Sequence, residues 1–232
     1  PVYFQPVTEG DNKGEYRGVA NGMPNPQQDD YKAMSAPNVQ EKSTDSPLRW
    51  MMASEVAFLR AEGAMRGWTA EMGGTAEEFY NKGIELSFLE NGLSADAAAR
   101  YAADETSKPT DFTDVSAANT KYNISALGKI TIKWNAGASE EEQLERIITQ
   151  KWIAMFPNGT EAWSEFRRTG YPLIFPVRSN YPTSGVDTNK QIRRMVFPQS
   201  EYSNNGAAVQ EAVKLLGGPD NGGTKLWWDK KN

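Results

Sequence analysis

Pairs of acidic residues at helical spacing are the first candidates for chemistry in this sequence. Glu161 and Glu165 lie four residues apart, and Glu55 and Glu62 lie seven apart, so each pair falls on one helix face. A glycoside hydrolase needs two carboxyl groups that face one cleft, about 5 to 10 Å apart. The same spacing also suits a solvated face or ion pairs with nearby arginines. The sequence favours this structural interpretation for both pairs.

Histidine and cysteine are absent from the 232 residues, and their absence removes several kinds of site. Ser-His-Asp and Cys-His triads are impossible, and zinc and haem lose their usual ligands. A metal site would have to use oxygen ligands, but Asp220-Asn221-Gly222 lacks the spaced acids of a calcium loop and is typical of a turn. We therefore predict no catalytic residues, no metal and no cofactor.

Two further groups of residues have both a functional and a structural interpretation. The adjacent Arg193 and Arg194 could bind phosphate or carboxylate, although structural ion pairs are favoured. Trp50, Trp152 and Trp163 lie in predicted helices beside apolar residues, and we predict that they belong to the core.

Aromatic side chains in irregular segments are the candidates for ligand binding. Tyr3, Tyr16 and Tyr31 lie in a long loop-like segment, and such segments often have a function. Tyrosine offers a flat face for a sugar ring and has few rotors to lose. Arg17 follows Tyr16 and can donate to sugar or carboxylate oxygens, and Trp134 lies in a later irregular stretch. We predict Tyr16, Arg17, Tyr31 and Trp134 as ligand contacts; anchoring of a loop to the core is the alternative for each.

The charge and hydropathy patterns exclude other partners. The formal net charge is -5 and the basic residues form no cluster, which argues against nucleic-acid binding. No apolar run approaches the roughly 18 residues of a membrane span. The sequence starts at Pro1 without a signal peptide, so we expect that an N-terminal part is missing.

The hydrophobic periodicity predicts a mainly α-helical fold with long irregular connections, and we interpret residues 1–232 as a portion of one domain. The expected parts are a loop-rich segment 1–46, a helical hairpin and short helix over 47–103, and a loop-rich region 104–232 with helices near 140–155, 161–169 and 206–216. Capping boxes at Thr75-Glu78 and Ser139-Glu142 mark two helix starts. Thr160 and Asn205 are predicted to cap later helices, and residues 129–134 alternate like a strand.

The first predicted helix carries an apolar stripe that we expect to face the core. Ser46 and Pro47 are expected to start this helix, and the stripe consists of Leu48, Met52, Val56, Leu59 and Gly63.

The first two helices match the spacing of one tetratricopeptide-type hairpin. Ala64, Ala76, Tyr80 and Gly83 occupy its small, small, aromatic and small positions, where the two helices approach closely. One hairpin cannot bury its own outer face, and about three stacked units are usually needed. No second copy is present in the sequence, so we expect partner helices outside this chain or covering by its loops.

Four segments in order resemble the SusD/RagB family of outer-membrane nutrient-binding lipoproteins. They are the helix Arg49–Gly63, with Glu55, Leu59, Ala61 and Glu62; the stretch Gln150–Pro172, with Lys151-Trp152, Pro157-Asn158-Gly159 and Arg167-Arg168-Thr169-Gly170; Arg193-Arg194 followed by Phe197-Pro198; and the terminal Lys225-Leu226-Trp227-Trp228-Asp229. Together they extend over nearly the whole chain.

This resemblance implies an α-helical fold with tetratricopeptide-like hairpins and an irregular C-terminal half, of which this chain is the C-terminal part. It implies a protein on the outer face of the outer membrane, held by a lipid anchor outside this sequence. Such proteins present oligosaccharides, or sometimes peptides, to a TonB-dependent barrel transporter of the SusC type and have no catalytic residues. A tetratricopeptide-type protein-interaction module and a glycoside hydrolase are the alternatives.

Overall fold

The structure is a computed structural model that describes residues 3–23, 31, 34–38, 49–180 and 184–230. Within these ranges the regular structure is helical, and β-pairing is limited to isolated bridges. The helices are α1 (Ala53–Met65), α2 (Thr69–Met72), α3 (Ala76–Glu90), α4 (Ala95–Ala102), a 3-10 helix (Ala117–Tyr122), α5 (Glu140–Ala154), α6 (Gly159–Thr169) and α7 (Gln199–Leu215). No helix in these ranges is long and apolar enough to span a membrane. The predicted mainly α-helical fold is confirmed.

The chain divides into two compact units. The first consists of Pro1–Arg17, Ser35–Asp111 and Ser125–Ile174, and the second of Gly18–Met34, Phe112–Ile124 and Phe175–Asn232. Helices α1 to α6 belong to the first unit, and the 3-10 helix and α7 belong to the second. The interpretation of residues 1–232 as part of one domain stays a prediction.

Local capping signals set several helix ends as predicted. The Thr75 hydroxyl accepts from the Glu78 amide at 3.2 Å, and the Glu78 carboxylate accepts from the Thr75 amide at 2.8 Å. Ser139 and Glu142 form the same reciprocal pair before α5. Gly170 ends α6 with a φ of 79°, a conformation that glycine adopts without a steric cost. Both capping boxes and this stop signal are confirmed.

Three local predictions are wrong. Helix α6 is capped by Asn158, whose side chain accepts from the amide of Glu161, and not by Thr160. Helix α7 begins at Gln199, so Asn205 lies inside it, at a kink with φ -142° and ψ 34°. Residues 129–134 contain no strand, because no second strand lies beside them in the described ranges.

The core of the first unit lies between α1, α3 and α5. Within it, the two helices of the predicted hairpin, α1 and α3, approach each other closely, as predicted. Phe58 of α1 and Tyr80 of α3 are fully buried, and their ring centroids lie 6.2 Å apart. A Cβ atom placed on Gly83 would lie 2.7 Å from the Phe58 ring, so the helices approach closely because this position has no side chain. Ile147 and Ile148 of α5 complete the centre.

Helix α1 turns a different face to the core from the one predicted. Its buried apolar residues are Ala57, Phe58, Ala61 and Ala64. Gly63 of the predicted stripe is buried, but Val56 and Leu59 are 41% and 39% exposed. Met52 is its N-cap residue, without a side-chain cap, and the predicted start at Ser46-Pro47, like Leu48, lies outside the described residues. The prediction was wrong for Val56 and Leu59 because this helix is apolar on more than one face.

The tryptophans also depart from the predicted core. Trp50 precedes α1 and is 87% exposed, and Trp152 is 40% exposed, so the core assignment was wrong for both. Trp163 is partly buried, with the Arg167 guanidinium 3.7 Å above its ring. Trp134, predicted to contact a ligand, is instead a core residue with 7% exposure.

In the second unit, two buried arginines join separate loops. Arg193 donates to both carboxylate oxygens of Asp229 at 2.7 Å, and Arg194 is paired with Asp220. Asn221 accepts from the amides of the two residues Gly223 and Thr224, as a turn requires. The structural interpretations of Arg193-Arg194 and of the Asp220 turn are confirmed.

Candidate functional site

The acidic pair Glu161 and Glu165 is held by a buried lysine. Lys151, in the last turn of α5, is 1% exposed, and its Nζ lies 3.1 Å from Glu161 and 2.6 Å from Glu165. A third carboxylate, that of Glu55 on α1, lies 3.9 Å from the same nitrogen. Helices α1 and α6 therefore bring three carboxylates to one ammonium group on α5, which supports the structural interpretation of the pair.

The fourth candidate acid, Glu62, is held by two arginines. Arg168 of α6 donates to its two carboxylate oxygens at 2.6 and 2.7 Å, and Arg66 pairs with it at 2.8 Å. Arg168 also contacts Glu165 at 2.6 Å, so these ion pairs join the lysine cluster into one network. We call the network of Glu55, Glu62, Arg66, Lys151, Glu161, Glu165 and Arg168 the charge cluster.

The two glutamates of α1 titrate in opposite directions within the charge cluster. Burial raises the pKa of Glu55; the Lys151 ammonium opposes this rise and the Glu161 carboxylate adds to it. Burial would also raise the pKa of Glu62, but the hydrogen bonds and charges of Arg168 and Arg66 together outweigh it and lower that pKa. A raised and a lowered carboxyl pKa can mark an acid–base pair. Neither glutamate lines the aromatic cavity of the first unit.

A cavity of about 290 Å³ in the first unit has largely apolar walls, in which aromatic side chains are prominent. Six of its lining residues are Tyr3, Phe4, Tyr16, Phe58, Phe88 and Tyr101. None of the described residues that line it carries a charge. A concave, largely apolar space with a few polar groups is the usual form of a small-ligand site. We call it the aromatic pocket.

The polar groups of the aromatic pocket come from α3, α4 and α5. Asn91, just after α3, donates to the Tyr3 hydroxyl at 3.4 Å and to the Ser87 carbonyl at 2.8 Å. The Tyr101 hydroxyl of α4 donates to Gln150 of α5 at 3.2 Å. Burial raises the pKa of Tyr101, so this hydroxyl stays a donor at neutral pH. Amide and hydroxyl groups of this kind pair with neutral polar ligands.

The structure places the predicted ligand contacts in different settings. Tyr16 borders the aromatic pocket and is 51% exposed, and Arg17 beside it pairs with Glu15 at 2.7 Å. Tyr31, in the second unit, donates from its hydroxyl to Asp114 at 2.9 Å and accepts from an asparagine amide. The buried Trp134 packs against the core ring of Tyr80 and offers a ligand little surface.

The sequence does not reveal most of the aromatic pocket. In the sequence, Asn91 indicates the end of a helix, and Tyr101 and Gln150 are ordinary helix residues. They meet only because α3, α4 and α5 pack together, and no local spacing signals that contact. The exposed Tyr16, in contrast, has the local signal of an aromatic residue in a long irregular segment.

These features define a helical chain built around a tetratricopeptide-like hairpin, with an uncharged aromatic pocket beside it. A family model described as "SusD-like: Susd and RagB outer membrane lipoprotein" matches residues 1–229. The chain belongs to this SusD-like family, as the four sequence segments indicated.

Solved structures of family members agree closely with the chain. A chitin-binding SusD homologue from Flavobacterium johnsoniae is 43% identical with a TM-score of 0.87; the match covers 99% of this chain and 46% of that one. A SusD-like protein from Bacteroides thetaiotaomicron is 44% identical with a TM-score of 0.87, covering 100% and 47%. A SusD homologue from Bacteroides vulgatus is 37% identical with a TM-score of 0.88, covering 100% and 46%. The chain thus spans about half the length of these relatives. No match was found among curated proteins.

Proposed function

We propose that this chain is part of a cell-surface nutrient-binding protein that takes up a neutral carbohydrate in its aromatic pocket. The observation that carries this proposal is a pocket with aromatic walls and no charged lining residue, in a member of the SusD-like family. The relative from Flavobacterium johnsoniae, named as chitin-binding, supports an amino-sugar polymer as the first ligand to test.

The chemistry of the pocket suits a sugar better than an ion. Sugar rings present CH faces that pack on aromatic planes, and Tyr16 is the half-exposed ring at the pocket. Asn91 and Gln150 can pair with hydroxyl or acetamido groups. A charged sugar or a charged peptide would lose water without gaining an opposite charge there.

Binding without catalysis is part of the proposal. All four candidate acids lie in the charge cluster, paired with Lys151, Arg66 or Arg168. A hydrolase needs one carboxyl group free to give a proton and another free to attack or to activate water. The tetratricopeptide-type interaction module is the weaker alternative, because the sequence contains a single hairpin copy.

The family description supports the cellular setting that we propose. SusD-like proteins are described as outer-membrane lipoproteins. We propose the same location for the protein that contains this chain, with a lipid anchor outside these residues. We also propose that it delivers its ligand to a TonB-dependent, SusC-like transporter.

Calorimetry with short chito-oligosaccharides, neutral maltooligosaccharides and a mixed peptide pool tests the ligand class. We expect a neutral oligosaccharide to bind, and Tyr16→Ala to weaken that binding about tenfold, or roughly 1.4 kcal/mol. Tyr16→Phe is the matched control, because it keeps the stacking ring and should retain most of the affinity. The melting temperature should not change, since the Tyr16 side chain is half exposed.

Two outcomes would count against this proposal. Binding of peptides alone would replace the carbohydrate as the ligand class. Equal affinity of Tyr16→Ala and the parent chain would remove the aromatic pocket as the site and leave Arg17 and Tyr31 as the remaining candidate contacts.

A further inference from the structure

A buried glutamine of the aromatic pocket has an unused hydrogen-bond donor. Gln150 of α5 is 7% exposed, and its side-chain oxygen accepts from the Tyr101 hydroxyl at 3.2 Å. Its amide nitrogen donates to no residue in the described ranges. A buried N–H group without an acceptor costs free energy. Because Gln150 lines the pocket, a ligand held there can supply the acceptor.

The side chain of Asn91 provides the complementary acceptor. Its amide nitrogen donates to the Ser87 carbonyl at 2.8 Å and to the Tyr3 hydroxyl at 3.4 Å, so both of its N–H groups are used. The Ser87 carbonyl can only accept, which fixes the direction of the Asn91 amide. Its carbonyl oxygen accepts from no residue that the structure describes. The pocket therefore offers one donor from α5 and one acceptor from the end of α3.

The remaining lining determines what else the ligand must carry. Burial raises the pKa of Tyr101, and the Tyr3 phenol adds to this rise, so the two hydroxyl groups lie near each other. These hydroxyls hold Gln150 and Asn91 respectively. The lining around them is apolar and includes Ile84, Phe88, Leu93, Ile153 and Ala154. A matching ligand group has an acceptor, a donor and a small apolar part, and it has no charge.

We propose that the aromatic pocket recognises the acetamido group of an N-acetylated amino sugar. Gln150 donates to the acetyl carbonyl, Asn91 accepts from the acetamido N–H, and the apolar lining holds the methyl group. This inference rests on the proposed function, because it requires a neutral sugar in the aromatic pocket. A sugar hydroxyl has no methyl group for the apolar lining. An ammonium group would meet no opposite charge among the described lining residues.

Calorimetry of the 232-residue chain with three tetrasaccharides of the same linkage tests this inference. Chitotetraose carries the acetamido group, cellotetraose has a hydroxyl group in its place, and fully deacetylated chitotetraose has an ammonium group when protonated. We expect chitotetraose to bind about tenfold or more tightly than cellotetraose, because only chitotetraose satisfies both amide groups and the apolar lining. The protonated deacetylated sugar should not bind.

The variant Gln150→Met removes the proposed donor and keeps a side chain of similar size. It should lower the affinity for chitotetraose about tenfold and leave the affinity for cellotetraose unchanged, whereas general damage to the fold would lower both. Gln143→Met is the matched control. Gln143 lies on the same helix, donates to the carbonyls of Ala136 and Ala138, and does not line the pocket. This variant should leave both affinities unchanged.

The comparison of sugars on the parent chain does not depend on the folding of any variant. Equal affinities for chitotetraose and cellotetraose would overturn the acetamido assignment and leave a neutral carbohydrate as the ligand class. Absence of binding by every oligosaccharide would overturn the proposed function, and this inference with it. A peptide group carries the same carbonyl and N–H, so N-acetylalanine methylamide is a further probe. Tighter binding of this probe than of chitotetraose would assign the pocket to peptides and overturn both.

Discussion

At the residue scale, the charge cluster indicates a structural role for the candidate acids Glu55, Glu62, Glu161 and Glu165. Lys151 is the only ammonium group within 4 Å of Glu55, Glu161 and Glu165 in the described ranges, and it is itself 1% exposed. Buried charges are costly unless they are paired, and a partner lost from a buried pair leaves an uncompensated charge. The cluster therefore fixes the relative positions of α1, α5 and α6 rather than a reacting group.

Replacing the two α1 glutamates by glutamine should change stability in opposite directions. The pKa of Glu62 is lowered in the folded state, so its contribution is present at neutral pH and is lost as the pH falls through that lowered value. Glu62→Gln should therefore destabilise the chain at pH 7, by about 2 kcal/mol. This loss is smaller than for a fully buried ion pair because the partner Arg168 is 41% exposed and solvent screens the pair.

Replacement of Glu55 should change the stability in the opposite direction. Its folded-state pKa is raised, so the protonated form contributes stability at low pH, and this contribution is lost as the pH rises through the raised value. Glu55→Gln, which imitates the protonated form, should raise the melting temperature at pH 7 and have little effect near pH 4. Thermal melts of both variants across this pH range provide the measurement. A lower melting temperature for Glu55→Gln at pH 7 would contradict the assigned environment.

At the element scale, the close approach of α1 and α3 depends on a glycine, Gly83, which has no side chain. Alanine normally stabilises a helix relative to glycine by roughly 0.5 to 1 kcal/mol. At Gly83 the added Cβ would lie 2.7 Å from the Phe58 ring, so the helices would have to move apart. Gly83→Ala should therefore destabilise the chain, by about 1 to 3 kcal/mol.

Gly159 provides the matched control for this substitution. It begins α6, and a Cβ there would meet no atom within 4 Å. Gly159→Ala should leave the urea midpoint unchanged or raise it slightly, whereas Gly83→Ala should lower it. Equal midpoints for the two variants would show that the hairpin contact is looser than the structure indicates.

The same elements show which parts of the fold a sequence can predict. Thr75-Glu78 and Ser139-Glu142 were predictable, because capping depends on residues three positions apart. The orientation of α1 was not, because Val56 and Phe58 are both apolar and only packing against α3 and α5 decides which is buried. For the same reason the sequence favoured ion pairs for Glu161 and Glu165 but could not identify Lys151 as their partner.

At the scale of the whole molecule, the proposed ligand site and the candidate acids consist of different residues. The aromatic pocket has no charged lining residue in the described ranges, and the candidate acids are all in the charge cluster. The SusD-like family match extends over residues 1–229, so both features belong to the matched region. This arrangement fits the proposed binding of a neutral sugar, because no acidic residue of the described ranges lines the pocket.

We therefore predict that the chain binds chito-oligosaccharides without cleaving them. Glycoside hydrolysis requires a protonated carboxylic acid near the leaving oxygen and a second carboxylate across the bond. Glu161 and Glu165 are held within 3.1 Å of the Lys151 ammonium, which removes them from such roles. Incubation of the chain with the sugars that bind in calorimetry, followed by chromatography, should show no new reducing ends. Glu161→Gln and Glu165→Gln should give the same chromatogram as the parent chain. Product formed by the parent and absent in either variant would assign a catalytic role to that glutamate and contradict the binding-only function.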